Sequence, residues 1–157
     1  MHSNIIQLSK EPLVNPLDYI APWKYEDDFI GRVADYVAPC DRKKSLNWIF
    51  CAGEEFGVSY DAQAETLTIA DRQAYFREKY DRFIHIAEKV CRISFGNFCI
   101  SDGLTETYMS LLRDSFDNET GLYVDSDEFG LVTFDRFMRC AEAGVPYHIG
   151  NVLDYHC

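Results

Sequence analysis

Between Tyr123 and Phe137 the chain reads YVDSDEFGLVTFDRF. Four carboxylates, Asp125, Asp127, Glu128 and Asp135, fall there around a single glycine, Gly130. Oxygen spacing of this kind can hold calcium, run acid–base chemistry or present a charged surface. A helix–loop–helix calcium site needs oxygen ligands at its first, third and fifth positions, glycine at the sixth and a bidentate glutamate at the twelfth. Counted from Asp125, the first, third and sixth positions conform, but the fifth is Phe129 and the twelfth is Arg136. A cation where the closing carboxylate belongs argues against that loop. The stretch instead predicts a polar turn with Gly130 at positive φ.

Acid–base catalysis needs carboxyls that converge across a pocket. Asp27 with Asp28, and Glu54 with Glu55, are sequence neighbours and point about 100° apart on a helix, so solvated helix ends are expected. Cys140, His148, His156 and Cys157 gather near the C-terminus. Zinc accepts those ligand types, but His148 and His156 stand eight residues apart, roughly 26 Å on an unbent strand. No metal and no cofactor is expected. His85 lies beside the apolar stripe of a long helix and is expected to be half-buried. The chain contains no GxSxG, HExxH, GxxxxGK[ST] or GxGxxG motif. A small Cys/His-dependent enzyme with its site near the C-terminal strand is the alternative of a different class.

The remaining use of the carboxylates is a charged surface. The formal net charge is −11, from 26 acidic and 15 basic side chains, which opposes direct binding to nucleic acid or anionic lipid and favours a basic partner. The charge is unevenly placed: residues 1–100 hold 15 acids and 12 bases, residues 101–157 hold 11 acids and 3 bases. From Asp114 to Glu128 six acids occur without a base. Residues 114–128 are therefore expected to form an acidic surface segment. Asp114, Asp117, Glu119, Asp125, Asp127 and Glu128 would contact the partner, with Phe129 as an aromatic anchor.

The elements that must carry these residues follow from periodicity. Apolar content is 47% and aromatic content 15% over 157 residues, a folded composition expected to form one domain. Pro12, Pro16 and Pro22 predict an extended N-terminal arm over residues 1–22, anchored by Trp23 and Tyr25. Phe29, Ile30, Val33 and Val37 predict a helix over 26–38, and Asp41 a cap for a second helix with Leu46, Ile49, Phe50 and Phe56 inward. Alternation over Val58–Ile69 predicts a β-hairpin. Asp71 caps the strongest helix, whose stripe Phe76, Tyr80, Phe83, Ile84, Ala87, Val90 and Cys91 is expected to be core. A further helix carries Leu104, Tyr108, Leu111 and Leu112. The last third predicts a strand at GLYVDS, a short helix at TFDRFMRCA and a final strand at PYHIGNVLDYH. The class is α+β: four or five helices on a small, mostly antiparallel sheet.

Six cysteines are scattered without a CxxC pair, and no secretory signal or apolar run of membrane length is visible. Reduced thiols and a cytoplasmic location are the expectation. In size, acidity and phrases such as DDFIGRVADYV, ADRQAYFREKYDRF, GLYVDSDEFGLVTFDRFMR and YHIGNVLDYH, the chain resembles small acidic accessory proteins of bacterial mobile elements and phages. That group includes antirestriction and anti-CRISPR inhibitors. The resemblance implies a non-enzymatic inhibitor that binds a basic, nucleic-acid-acting protein, some members acting as DNA mimics. An immunity protein against a nuclease toxin would share the physics. Because residues 1–100 are nearly charge-balanced, mimicry would be confined to a local patch.

Overall fold

The computed structural model describes residues 2–50, 57–100, 102–116 and 121–157. The chain starts in the middle of its sheet. Strand β1 (His2–Ser9) lies between β7 (Pro146–His156), antiparallel to it, and β5 (Tyr123–Ser126), parallel to it. This corrects the expected arm for its first third. Ile5, Ile6 and Leu8 are buried, and side chains of one strand point alternately to opposite faces, so this segment is apolar on both faces because both are covered. Residues 10–35 then cross one face as irregular chain with 3-10 helices at Pro16–Asp18 and Pro22–Tyr25.

Among the described residues the sheet has seven strands. Its order is β3 (Val58–Asp61), β4 (Thr66–Ile69), β7, β1, β5 and β6 (Gly130–Thr133), and β2 (Tyr36–Pro39) pairs with the second half of β7. Every pairing except β1 with β5 is antiparallel. The α+β class, the β3–β4 hairpin and the final strand agree with the sequence. The α-helices are α1 (Arg42–Phe50), α2 (Arg72–Cys91), α3 (Phe95–Ile100), α4 (Asp102–Phe116) and α5 (Phe134–Cys140). With the two 3-10 helices, the helical elements are slightly more numerous than expected.

Two predicted elements are corrected. Residues 26–38 form bends and then β2 instead of a helix, with Gly31 at φ +86° interrupting the run. The strand edge of β7 captures Tyr36–Pro39. The apolar set still does its work, since Phe29 and Val37 are buried in a cluster with Ile5, Tyr25, Tyr123, Leu153 and Tyr155. On α2 the cap holds, Asp71 Oδ1 accepting from Ala74 N at 2.9 Å. Its expected core stripe does not hold: Tyr80 and Ile84 are exposed, Phe76 and Phe83 only half-buried, and Ile86 is the buried residue. The outward part of that stripe meets no layer of the fold. α1 is capped by Asp41, which accepts from Lys44 N at 3.1 Å. Its expected extension, with Glu54, Glu55 and Phe56, lies outside the described residues.

The sheet therefore has two covered faces. α1, α5 and the start of α2 lie over Ile6, Leu8, Val124, Tyr147 and Val152, and residues 16–37 cover the other. One gap on β7 is closed by a side chain. Between the stretch paired with β4 and the stretch paired with β2, the Ile149 and Gly150 carbonyls accept from the Arg42 guanidinium at 2.8 and 2.6 Å. The same guanidinium grips Glu65 at 2.7 and 3.1 Å. This is the fork geometry that suits arginine to paired acceptors. A Cβ at Gly150 would stand 2.4 Å from the Gln7 amide oxygen, and so would displace a side chain that accepts from Ile20 N and Asn151 N.

Candidate functional site

The carboxylate-rich stretch folds as a hairpin that feeds a helix. β5 turns into β6 through Ser126–Gly130, with Phe129 N donating to Ser126 Oγ at 3.2 Å and Gly130 at φ +65°, as the turn reading anticipates. Thr133 then caps α5 by accepting from Arg136 N. Strand alternation decides the fate of each acid. Tyr123 and Asp125 face the layer made by residues 16–37, while Val124 faces the helices. Asp125, expected at the surface, is 4% exposed. It accepts from Tyr25 Oη at 2.6 Å and meets Lys24 Nζ at 2.9 Å. Burial, and then the bond to Asp125, push the Tyr25 phenol far above its usual value, so it stays a donor. The segment that covers this face brings its own cation and hydroxyl, and that is why the carboxylate can be buried.

Asp135 has the same arrangement on the opposite face. It is 3% exposed, takes Tyr75 Oη at 2.5 Å and pairs with Lys79 Nζ at 2.6 Å. The two buried acids, Asp125 and Asp135, are thus each closed by one tyrosine and one lysine. Beside the second lies a hollow of about 340 Å³ lined by Ile49, Phe50, Val58, Leu122, Phe134 and Lys79. Tyr75 and Lys79 stand i,i+4 on α2, a legible pair. Their partner lies 56 residues away in sequence, and nothing local announces it.

Asp127 and Glu128 are exposed at the hairpin tip, and Phe129 is half-buried against the Phe137 ring, centroids 6.1 Å apart. Phe129 is thus partly an internal packing residue. Asp114 is exposed in the last turn of α4. With Asp125 buried, the expected surface segment 114–128 is not exposed throughout. Asp117 and Glu119 lie outside the described residues.

What the hairpin tip does form is a cleft. β1 and β5 run parallel and end at the same edge. There Leu8, Ser9, Lys10, Glu11, Ser126, Asp127, Glu128 and Tyr147 enclose about 360 Å³. Lys10 Nζ stands 3.1 Å from Glu128 and 3.6 Å from Glu142, and the Glu128 bond holds the ammonium above its usual value. Three acids, Glu11, Asp127 and Glu128, line the cleft with one cation, Lys10, which leaves local negative charge. Such a cleft suits a lysine or arginine side chain from outside. Lys10, Glu11 and Glu142 were missed at the sequence level because they come from both ends of the chain.

The C-terminal histidines separate as the spacing requires. His148 is half-buried near the start of β7; His156, at its end, places Nδ1 3.0 Å from Asp35 Oδ2 and stacks on Tyr36. His2 Nδ1 is 2.9 Å from Asp154 Oδ2. His85 is exposed, not half-buried. The Cys40 thiol donates to the Val152 carbonyl at 3.3 Å and is pushed up by burial, which favours the thiol over the nucleophilic thiolate. Among the described residues, no group of three or more His, Cys, Asp or Glu is arranged to hold a metal. No helix among them is long and apolar enough to cross a membrane. Comparison with known proteins returns no match: no family model, no curated protein and no solved structure matches the chain.

Proposed function

We propose that this chain is a non-enzymatic inhibitor. It would bind a basic protein partner of the kind that acts on nucleic acid, and seat a lysine or arginine of that partner in the cleft between the end of β1 and the β5–β6 turn. The observation that carries the reading is the cleft's composition: Glu11, Asp127 and Glu128 line it with the one cation Lys10, which also pairs with Glu142. The overall charge of −11 would steer a basic partner toward the molecule and make association fast and salt-sensitive. The recognition surface is smaller than the run of acids in the sequence, since Asp125 is used internally. A row of carboxylates imitating a duplex is therefore not the mode we infer; insertion of a basic side chain is.

The test is capture from a bacterial lysate at low and high salt, with identification of the retained proteins, comparing wild type with Asp127→Lys/Glu128→Lys. Wild type is expected to retain nucleic-acid enzymes at low salt and to inhibit cleavage by them, and the variant to lose both. Equal capture by the two proteins overturns the assignment to this cleft, and a wild type that retains only acidic proteins overturns the partner class.

A further inference from the structure

The helices α2, α3 and α4 form an antiparallel hairpin whose outer side nothing in the described fold covers. Tyr80 and Ile84, one turn apart on α2, are exposed, as is Met109 on α4. At the hairpin's far end α3 leaves Phe95 and Ile100 each 83% exposed and Phe98 62% exposed. α2 and α4 pack on each other; Ile86 of α2 and Ser115 of α4 are buried, and helical spacing turns Tyr80, Ile84 and Met109 away from those buried positions. A groove between α2 and the end of α4 is lined by Phe76, Tyr80, Phe83 and Phe116, with Lys79 and Arg139 of α5 at its edge.

We infer that this face is the contact between two copies of the chain, joined hairpin to hairpin in a four-helix arrangement. Two observations select a second copy over other occupants. The first is area. Aromatic side chains present about 150–250 Å² each; with the aliphatic ones counted at the low end of that range, the exposed parts of these six sum to roughly 700 Å². A typical monomer's largest apolar patch is about 300–600 Å², and each partner in a standard interface contributes about 800 Å². The second is charge. Residues 71–116 contain seven acids and seven bases, while the rest of the chain carries the whole net charge of −11. Two strongly acidic molecules repel wherever else they meet. Here the contact is between neutral units, and a two-fold arrangement places the acidic sheets on the outside. The surface is separate from the acidic cleft, so the inference stands independently of the proposed function.

The test is sedimentation of the full chain over a dilution series, with Phe95→Glu/Phe98→Glu/Ile100→Glu and the single variant Tyr80→Glu beside wild type. Wild type is expected at twice the monomer mass of 18.1 kDa, with a dissociation constant that changes less than threefold between low and high salt. The triple variant is expected to be monomeric with an unchanged far-UV spectrum and thermal midpoint at low concentration, and Tyr80→Glu to weaken the dimer about tenfold or more. A wild type that remains monomeric at high micromolar concentration overturns the proposal; so does a dimer that survives both sets of substitutions. Co-sedimentation of a monomeric wild type with phosphatidylserine vesicles overturns it in favour of a lipid surface.

Discussion

The sheet and the α2–α4 hairpin divide polarity in opposite ways. In the sheet and the layers packed on it, acids go inward and are closed by partners: Asp125 of β5 by Lys24 and Tyr25, and Asp135 of α5 by Tyr75 and Lys79 from the start of α2. In the hairpin, apolar side chains go outward, with Phe95 and Ile100 nearly bare. The first pattern belongs to a region whose stability is settled within one chain. The second belongs to a region that still has apolar surface to bury. Buried carboxylates cost desolvation, so they persist only where the covering segment carries donors. Exposed phenylalanines cost little in one molecule and matter when two meet.

The largest expected difference between the two regions comes from truncating their aromatics. Phe137 is fully buried among Phe129, Phe134 and Tyr147, and Phe137→Ala should lower unfolding free energy by about 3–5 kcal/mol. Phe83→Ala, on the half-buried side of α2, should cost only about 1–2 kcal/mol. Equal shifts in denaturant midpoint would erase the distinction between sheet and hairpin.

Next come the two closed carboxylates. Asp125→Ala strands Tyr25 Oη in a buried site and should cost about 2–4 kcal/mol. Asp135→Ala should cost a similar amount, whereas reversal of the exposed Asp127 should change chemical stability by less than about 0.5 kcal/mol. A silent Asp125→Ala would mean the residue is free to face a partner after all.

The smallest effects are in pH dependence. Burial pushes Tyr155 up to about 12, and its hydroxyl donates to the Gly121 carbonyl at 2.5 Å. A phenol raised in the folded state contributes stability that is complete below its unfolded value, about 10, and is lost as pH rises from there toward 12. Tyr155→Phe should flatten that alkaline limb in thermal melts. At the acid end, the Arg42 guanidinium holds Glu65 below its usual value. Its contribution is present above the unfolded carboxylate range and lost as pH falls through the folded value. Since Glu65 is half exposed, Glu65→Gln should remove less than about 1 kcal/mol at neutral pH.

Local signals account for what the sequence made legible. Asp71 announces α2, period-two alternation announces β3 and β4, and Gly130 announces the turn. Long-range pairing accounts for what it hid. The Ile5–Ile6–Leu8 run was masked by the prolines that follow it, and its partner strands lie more than a hundred residues away. Phe29, Ile30, Val33 and Val37 have helical spacing, yet the open edge of β7 offered Tyr36–Pro39 a better use of its backbone hydrogen bonds. In the cleft, Asp127 and Glu128 could be singled out from the sequence. Their neighbours Lys10, Glu11 and Glu142 could not, because only the parallel pairing of β1 with β5 brings them to one edge.

The amino-acid order by itself determined where most chain segments become helix or strand and how much negative charge the molecule bears, because caps, turn residues and side-chain period act over a few residues. Which carboxylates remain available to a partner was decided by the tertiary structure. A strand exposes or hides its side chains according to what is laid across each face, and the lysines, tyrosines and covering segment that bury Asp125 and Asp135 are supplied from distant parts of the chain.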